Sequence, residues 1–110
     1  MDEFPEFIRA LPEIDLPFPN CRGWLMQGEN QQTVFAEFPE GLEMPEHTHA
    51  EQWEFPIAGY VTLTCQGEMK VYRPGDNFFI PADVPHSAVV SEGYRAFMIF
   101  NSPDRYKPKV

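Results

Sequence analysis

Beyond residue 20 the apolar positions fall in short runs, each broken within a few residues by turn chemistry. The runs at 23–27 and 32–38 are rich in aromatic and β-branched side chains. Gly28-Glu29-Asn30 turns between them and Pro39-Glu40-Gly41 follows them. Extended segments are expected next at 42–49, 52–58, 59–65, 68–72, 77–80, 86–90 and 95–101. Gln66-Gly67, Pro74-Gly75-Asp76, residues 81–85 and residues 91–93 supply the later turns. No stretch past residue 20 holds a 3.6-residue apolar period for three turns. Many short strands with turns about every 8–12 residues predict an all-β sandwich or small barrel.

Residues 1–20 read as an irregular, Pro-rich lead-in. Pro5, Pro12, Pro17 and Pro19 leave room for at most a turn or two of helix around 6–11. Phe4, Phe7, Ile8, Leu11, Leu16 and Phe18 are too many apolar residues for a disordered tail, so this segment is expected to wrap over the barrel or a neighbouring subunit. The organisation expected is a lead-in over 1–20 and a barrel over 21–110. The polar, Pro-containing tail at 102–110 is expected to pack loosely outside.

A chain of 110 residues, 43% of them hydrophobic, fits one globular domain with a real core. No apolar run approaches the ~18–20 residues needed to span a bilayer. The opening Met1-Asp2-Glu3-Phe4-Pro5 lacks the basic-then-apolar order of a secretory signal. Cys21 and Cys65 are too few and too scattered for a disulfide framework or a thiolate zinc site. They read as small hydrophobes in a reducing cytoplasm. The net charge of −9, with no Lys or Arg cluster, argues against nucleic acid and against anionic membranes. Small molecules, or a second copy of the chain, are the expected partners.

The chemistry concentrates in His47-Thr48-His49-Ala50-Glu51-Gln52 and in Pro81-Ala82-Asp83-Val84-Pro85-His86. Side chains two apart on a strand share a face, so His47 and His49 are expected to aim at one point. Gln52 rejoins that face only through a bulge or bend. With His86, the remaining histidine, from a neighbouring strand, three imidazoles and an amide oxygen form a plausible shell for a divalent transition metal. A one-residue slip would bring Glu51 or Glu54 to the fourth position instead. Glu54, two beyond Gln52, points into the barrel and is a candidate general base or acid; the alternative is a carboxylate paired with Arg73 or Arg95. Met98 and Phe100, beside Ala88 and Val90, are expected to line the cavity. Trp53 and Phe55 face the other way, where two large aromatics argue for a subunit contact and a homodimer. Arg95 and Arg105 are candidates for a substrate carboxylate.

Gly41, His47, His49, Gln52 and Gly59, followed by Gly75, Pro81, Asp83, His86 and Val90, fall on the two motifs of the cupins, which this chain therefore resembles. The first motif is glycine, five residues, His-x-His, a short gap, an acidic ligand, six residues and glycine. The second is glycine, five residues, Pro-x-Gly, two residues, His, three residues and Asn. The resemblance implies a double-stranded β-helix, a jelly-roll-like barrel with a metal near one mouth. Three positions depart from it. Asp83 replaces a glycine, tolerable because Asp accepts left-handed geometry. Val90 replaces asparagine, and Gln52 replaces the acidic ligand. A His3Gln shell carries no charge, so a divalent ion keeps its full charge, polarises a substrate oxygen more strongly and welcomes a chelating anion.

What the resemblance implies for function is a small metal-dependent enzyme. One nickel, zinc, manganese, iron or cobalt ion would act as a Lewis acid on a carboxylated or sugar-acid substrate in isomerase- or lyase-type proton transfer, with Glu54 the expected proton carrier from its place on the strand rather than from the resemblance. Some cupins with this ligand set convert unsaturated uronates and use an aspartate two before a phenylalanine on the last strand. The corresponding residue here is Met98, before Phe100. The other readings are a non-haem metal dioxygenase, disfavoured by the missing carboxylate ligand, and a binding or sensing module without turnover.

Overall fold

A computed structural model describes residues 2–109. The elements run α1 (Glu6–Arg9), β1 (Arg22–Gln27), β2 (Gln32–Phe38), β3 (Leu42–His47), β4 (Gln52–Ala58), β5 (Val61–Cys65), β6 (Glu68–Tyr72), β7 (Phe78–Ile80), β8 (His86–Val90) and β9 (Tyr94–Phe100). They make two antiparallel sheets, ordered β1-β2-β9-β4-β7 and β3-β8-β5-β6. The strand pattern predicts a sandwich or small barrel, and the arrangement is the jelly-roll-like barrel that the cupin resemblance implies. The strands differ from expectation mainly at their ends: β3 stops at His47 rather than 49, and β9 opens at Tyr94.

Period-two alternation builds the core. Along β2, Val34, Ala36 and Phe38 are buried in the barrel, and the register sets Val34 opposite Met98 and Ala36 opposite Ala96. In the second sheet, Val61 and Leu63 lie opposite Val90 and Ala88. At the entry to β3, Gly41 has φ +71°, and a Cβ there would sit 2.7 Å from the Val90 carbonyl oxygen. Only glycine fits this corner.

The lead-in wraps its own barrel. Ile14 is 1% exposed within the core, the Ile14 N–H donates to the Gly23 carbonyl, and Glu13 bridges to Trp24. The Phe4 N–H donates to Glu37 Oε2 at 2.8 Å, and the Arg9 guanidinium stacks 4.9 Å above Trp24. Phe7 stays outside, 74% exposed.

The tail corrects the expectation of loose packing. Gln32, 1% exposed on β2, donates to the Tyr106 carbonyl at 2.8 Å and accepts the Tyr106 N–H at 2.9 Å. Ile14 bridges to Pro108, and Lys109 reaches Glu13 at 3.0 Å. A buried amide needs partners for both ends, and the tail backbone supplies them. Val110, which belonged to that expectation, and Met1, part of the signal argument, lie outside the described residues.

Candidate metal centre

The three histidines meet where the two sheets part. β3 and β8 pair with His47 opposite His86, after a register slip between Met44 and His47. The strand then ends, so His49 enters from the following loop rather than from the same pleat as His47. That is a correction to the shared-strand-face expectation. The Asp83 N–H donates to the His49 carbonyl at 2.9 Å and fixes this loop against the turn before β8. Asp83 has φ +59°, the left-handed geometry allowed for above. Ring centroids are 4.3 Å apart for His47 and His86, 4.6 Å for His49 and His86, and 5.1 Å for His47 and His49. One ring nitrogen from each lies within 4.8 Å of the others.

The backbone sets the tautomers. Nδ1 of His47 is 2.8 Å from the Pro45 carbonyl oxygen, Nδ1 of His49 is 2.7 Å from that of Ala50, and Nδ1 of His86 is 2.9 Å from that of Val84. A carbonyl only accepts, so each ring donates from Nδ1, and in its neutral form that leaves the lone pair on Nε2. Burial pushes the His49 imidazolium down to about 4, with the positive charge of Arg105 adding to it, and burial lowers His86 in the same way. Rings oriented by a hydrogen bond at the nitrogen that does not face the ion are what a metal-ligating histidine requires. The donor set therefore fits a divalent transition ion.

Gln52, at the start of β4, is 6% exposed. Its Nε2 donates to Glu54 Oε1 at 2.6 Å and contacts Met98 Sδ at 3.5 Å. Among the described residues, Glu54 pairs with no arginine. Its other oxygen accepts the Tyr94 hydroxyl at 2.5 Å. Burial raises the Glu54 carboxyl to about 7, against the lowering effect of these two donors, and the Tyr94 hydroxyl is raised by its own burial and by the adjacent carboxylate.

A cavity of about 60 Å³ runs from the histidines into the barrel. Met98, Phe100 and Ala88 line it, together with Val34, Phe78 and Ile80 on its apolar wall. Val90 is 4% exposed in the core and is not among the lining residues. Arg105 lines the mouth, its guanidinium 5.4 Å from the Phe100 ring and 5.1 Å from the Tyr106 ring. Arg95 lies away from the cavity. Its position on β9 puts it on the opposite pleat to Met98 and Phe100, 5.5 Å from the Phe4 ring, with Nε and Nη1 unpartnered. Arg73 stacks 5.1 Å from Tyr60.

Sequence reasoning missed Tyr94, Tyr106, Leu16 and Phe18, all of which line the cavity. Tyr94 stands two before Ala96 and four before Met98, so extending the alternation of β9 back by one residue would have found it.

No curated protein matches the chain significantly. Among solved structures, an RmlC-like cupin from Shewanella frigidimarina is 28% identical, with a TM-score of 0.74 over 94% of this chain and 90% of its own. KdgF from Halomonas sp. is 23% identical, with a TM-score of 0.72 over 84% and 88%. The DMSP lyase DddQ from Ruegeria pomeroyi is 20% identical, with a TM-score of 0.69 over 90% of this chain and 60% of its own. The sequence profile of the cupin domain matches residues 34–100, the span that holds both histidine segments, strands β3 to β9 and most of β2, and on that match the chain belongs to the cupin family.

Proposed function

We propose that the chain is a metal-dependent cupin enzyme acting on a small carboxylated substrate, with His47, His49, His86 and Gln52 as ligands. The observation that carries this reading is the convergence of three imidazoles, each with Nδ1 committed to a backbone carbonyl. A divalent ion held there supplies Lewis acidity toward a substrate oxygen. Because Gln52 is an amide, the ligand set adds no charge of its own. The Arg105 guanidinium at the mouth offers a carboxylate two parallel donors. The apolar wall keeps water from the substrate body and suits a short aliphatic acid better than a sugar acid, whose hydroxyls would find few partners there. Glu54, lining the same cavity, is the proton carrier in this reading, which makes the reaction an isomerase- or lyase-type proton transfer.

The experiment is elemental analysis of protein purified without added metal, alongside His47→Ala. One equivalent of nickel, zinc, manganese, iron or cobalt in the parent and none in the variant is expected. An equal content in both removes the reading.

A second reading, a binding or sensing module without turnover, draws support from Glu54, whose two oxygens are both already engaged. A carboxylate that binds metal-dependently yet is recovered unchanged by NMR would select it. Two free cysteines suit a reducing compartment such as the cytoplasm. A homodimer is proposed through the outer face of the larger sheet. There Trp53 and Phe79 are 46% and 55% exposed beside Phe55, which stacks on Phe97 with centroids 4.7 Å apart. Sedimentation velocity of Trp53→Glu, shifting from dimer to monomer, tests it.

A further inference from the structure

We propose that Glu54 and Tyr94 form a positioning pair that decides which end of the Gln52 amide faces the three imidazoles. The inference rests on the metal-site reading above and adds to it a reason for the geometry. A glutamine has two chemically opposite ends: Oε1 carries lone pairs and can ligate a cation, whereas Nε2 only donates. Nothing in the backbone separates them, because the terminal torsion is broad and roughly two-fold. In this chain the choice is made by the neighbour on the same face of β4. Glu54 Oε1 takes the Gln52 Nε2 donor at 2.6 Å, and Met98 Sδ, a weak acceptor, lies 3.5 Å from the same nitrogen. Turning the amide over would press its oxygen against a carboxylate oxygen and a thioether, two acceptors, with no donor between them.

Burial makes the choice strict. Gln52 and Glu54 are each 6% exposed and Tyr94 is 1% exposed, so water is poorly placed to supply a missing donor or acceptor. Tyr94 holds the carboxylate from its far side, with its hydroxyl 2.5 Å from Glu54 Oε2. That contact fixes the rotation of the carboxylate and hence the direction of Oε1. The pair also explains why position 52 holds an amide. A glutamate there would set two carboxylates 2.6 Å apart in a dry pocket.

The test is a double-mutant cycle read by cobalt(II) affinity, measured by chelator competition and by the visible absorption of the bound ion. Glu54→Leu in the parent is expected to weaken cobalt binding by ~10–100-fold, the usual effect of removing a partner that orients a ligand. Made in Gln52→Ala, the same change is expected to alter affinity by no more than about twofold, because there is no amide left to orient. Tyr94→Phe should weaken binding in the same direction by a smaller factor, and this too should vanish without Gln52. Equal losses in both backgrounds, or no loss in the parent, overturn the proposal. If Glu54→Leu does not fold, Glu54→Met, which keeps much of the volume and offers the Gln52 amide no oxygen acceptor, takes its place in the cycle. A parent that binds no cobalt, or a His47→Ala protein that binds it as tightly, defeats the metal-site reading itself. That result is distinct from a failed cycle in a protein that binds the ion.

Discussion

The backbone N–H of Asp83 donates to the carbonyl of His49 at 2.9 Å, joining the loop that follows β3 to the turn that precedes β8. His47 and His86 are already held opposite one another by strand pairing, but His49 has no strand to place it. The single backbone bond from Asp83, together with the Ala50 carbonyl on Nδ1, does that work instead.

Because Asp83 makes this bond from the left-handed region, its side chain matters less than its tolerance of φ +59°. Asp83→Gly should leave stability and metal content near those of the parent. Asp83→Val should cost about 1–2 kcal/mol, the left-handed penalty of a β-branched residue. It should also lower metal affinity, since strain relieved there releases His49. Urea unfolding and metal titration on the two variants check the pair of outcomes; equal behaviour of glycine and valine would remove the argument.

The Tyr94 hydroxyl is expected to stabilise the fold as well as the site. Tyr94→Phe leaves Glu54 Oε2 without its buried donor. A buried acceptor left unsatisfied costs about 1–3 kcal/mol, more for a charged group. A drop of that size in denaturant midpoint at unchanged slope is the expected result, and an unchanged midpoint would show that water reaches the carboxylate.

Much of the site was legible because its determinants are local. His47, His49 and Gln52 lie within six residues, and the left-handed turn at Asp83 is written in one residue whose side chain tolerates it. The burial of Val34, Ala36, Met98 and Phe100 follows from alternation alone. Contacts between distant polar groups were not legible. Glu54 meets Tyr94 forty positions away, and Gln32 meets Tyr106 seventy-four away. No periodicity announces either, and a polar tail reads as loose until a buried amide is found beneath it. The expectation that His47 and His49 share a strand face failed for a related reason: period two holds only while the strand lasts, and the ladder stops at His47.

Acid should loosen the join between the lead-in, β1 and the tail. Hydrogen bonds from Arg22 and Lys109 hold the Glu13 carboxyl at about 2, below its ordinary 4.5. A carboxyl depressed on folding contributes stability that is complete above its unfolded value and is lost as pH falls toward the folded one. The loss attributable to Glu13 should thus fall between about pH 4.5 and pH 2. Glu13→Gln, compared with the parent by thermal melting across that range, should show a shallower decline; parallel curves would mean the cluster contributes nothing.

The tail carries Arg105 and Tyr106 to the cavity mouth, and Gln32 is what holds it there. Gln32 Nε2 donates to the Tyr106 carbonyl and to Gln27 Oε1, both at 2.8 Å, while its oxygen accepts the Tyr106 N–H at 2.9 Å. Gln32→Ala removes all three bonds and leaves the Tyr106 N–H without its partner in a partly buried place. Counting ~0.5–1.5 kcal/mol for each bond, the fold should lose about 1–3 kcal/mol, since some are regained by water. The more telling effect is local. Amide exchange at Tyr106 should accelerate well beyond the global change, because its protecting acceptor is gone. If Arg105 binds the substrate carboxylate, the same variant should weaken carboxylate binding while leaving metal content at one equivalent, for no ligand lies in the tail. Loss of metal along with the tail would mean that the mouth and the ion site are coupled more tightly than these contacts provide for.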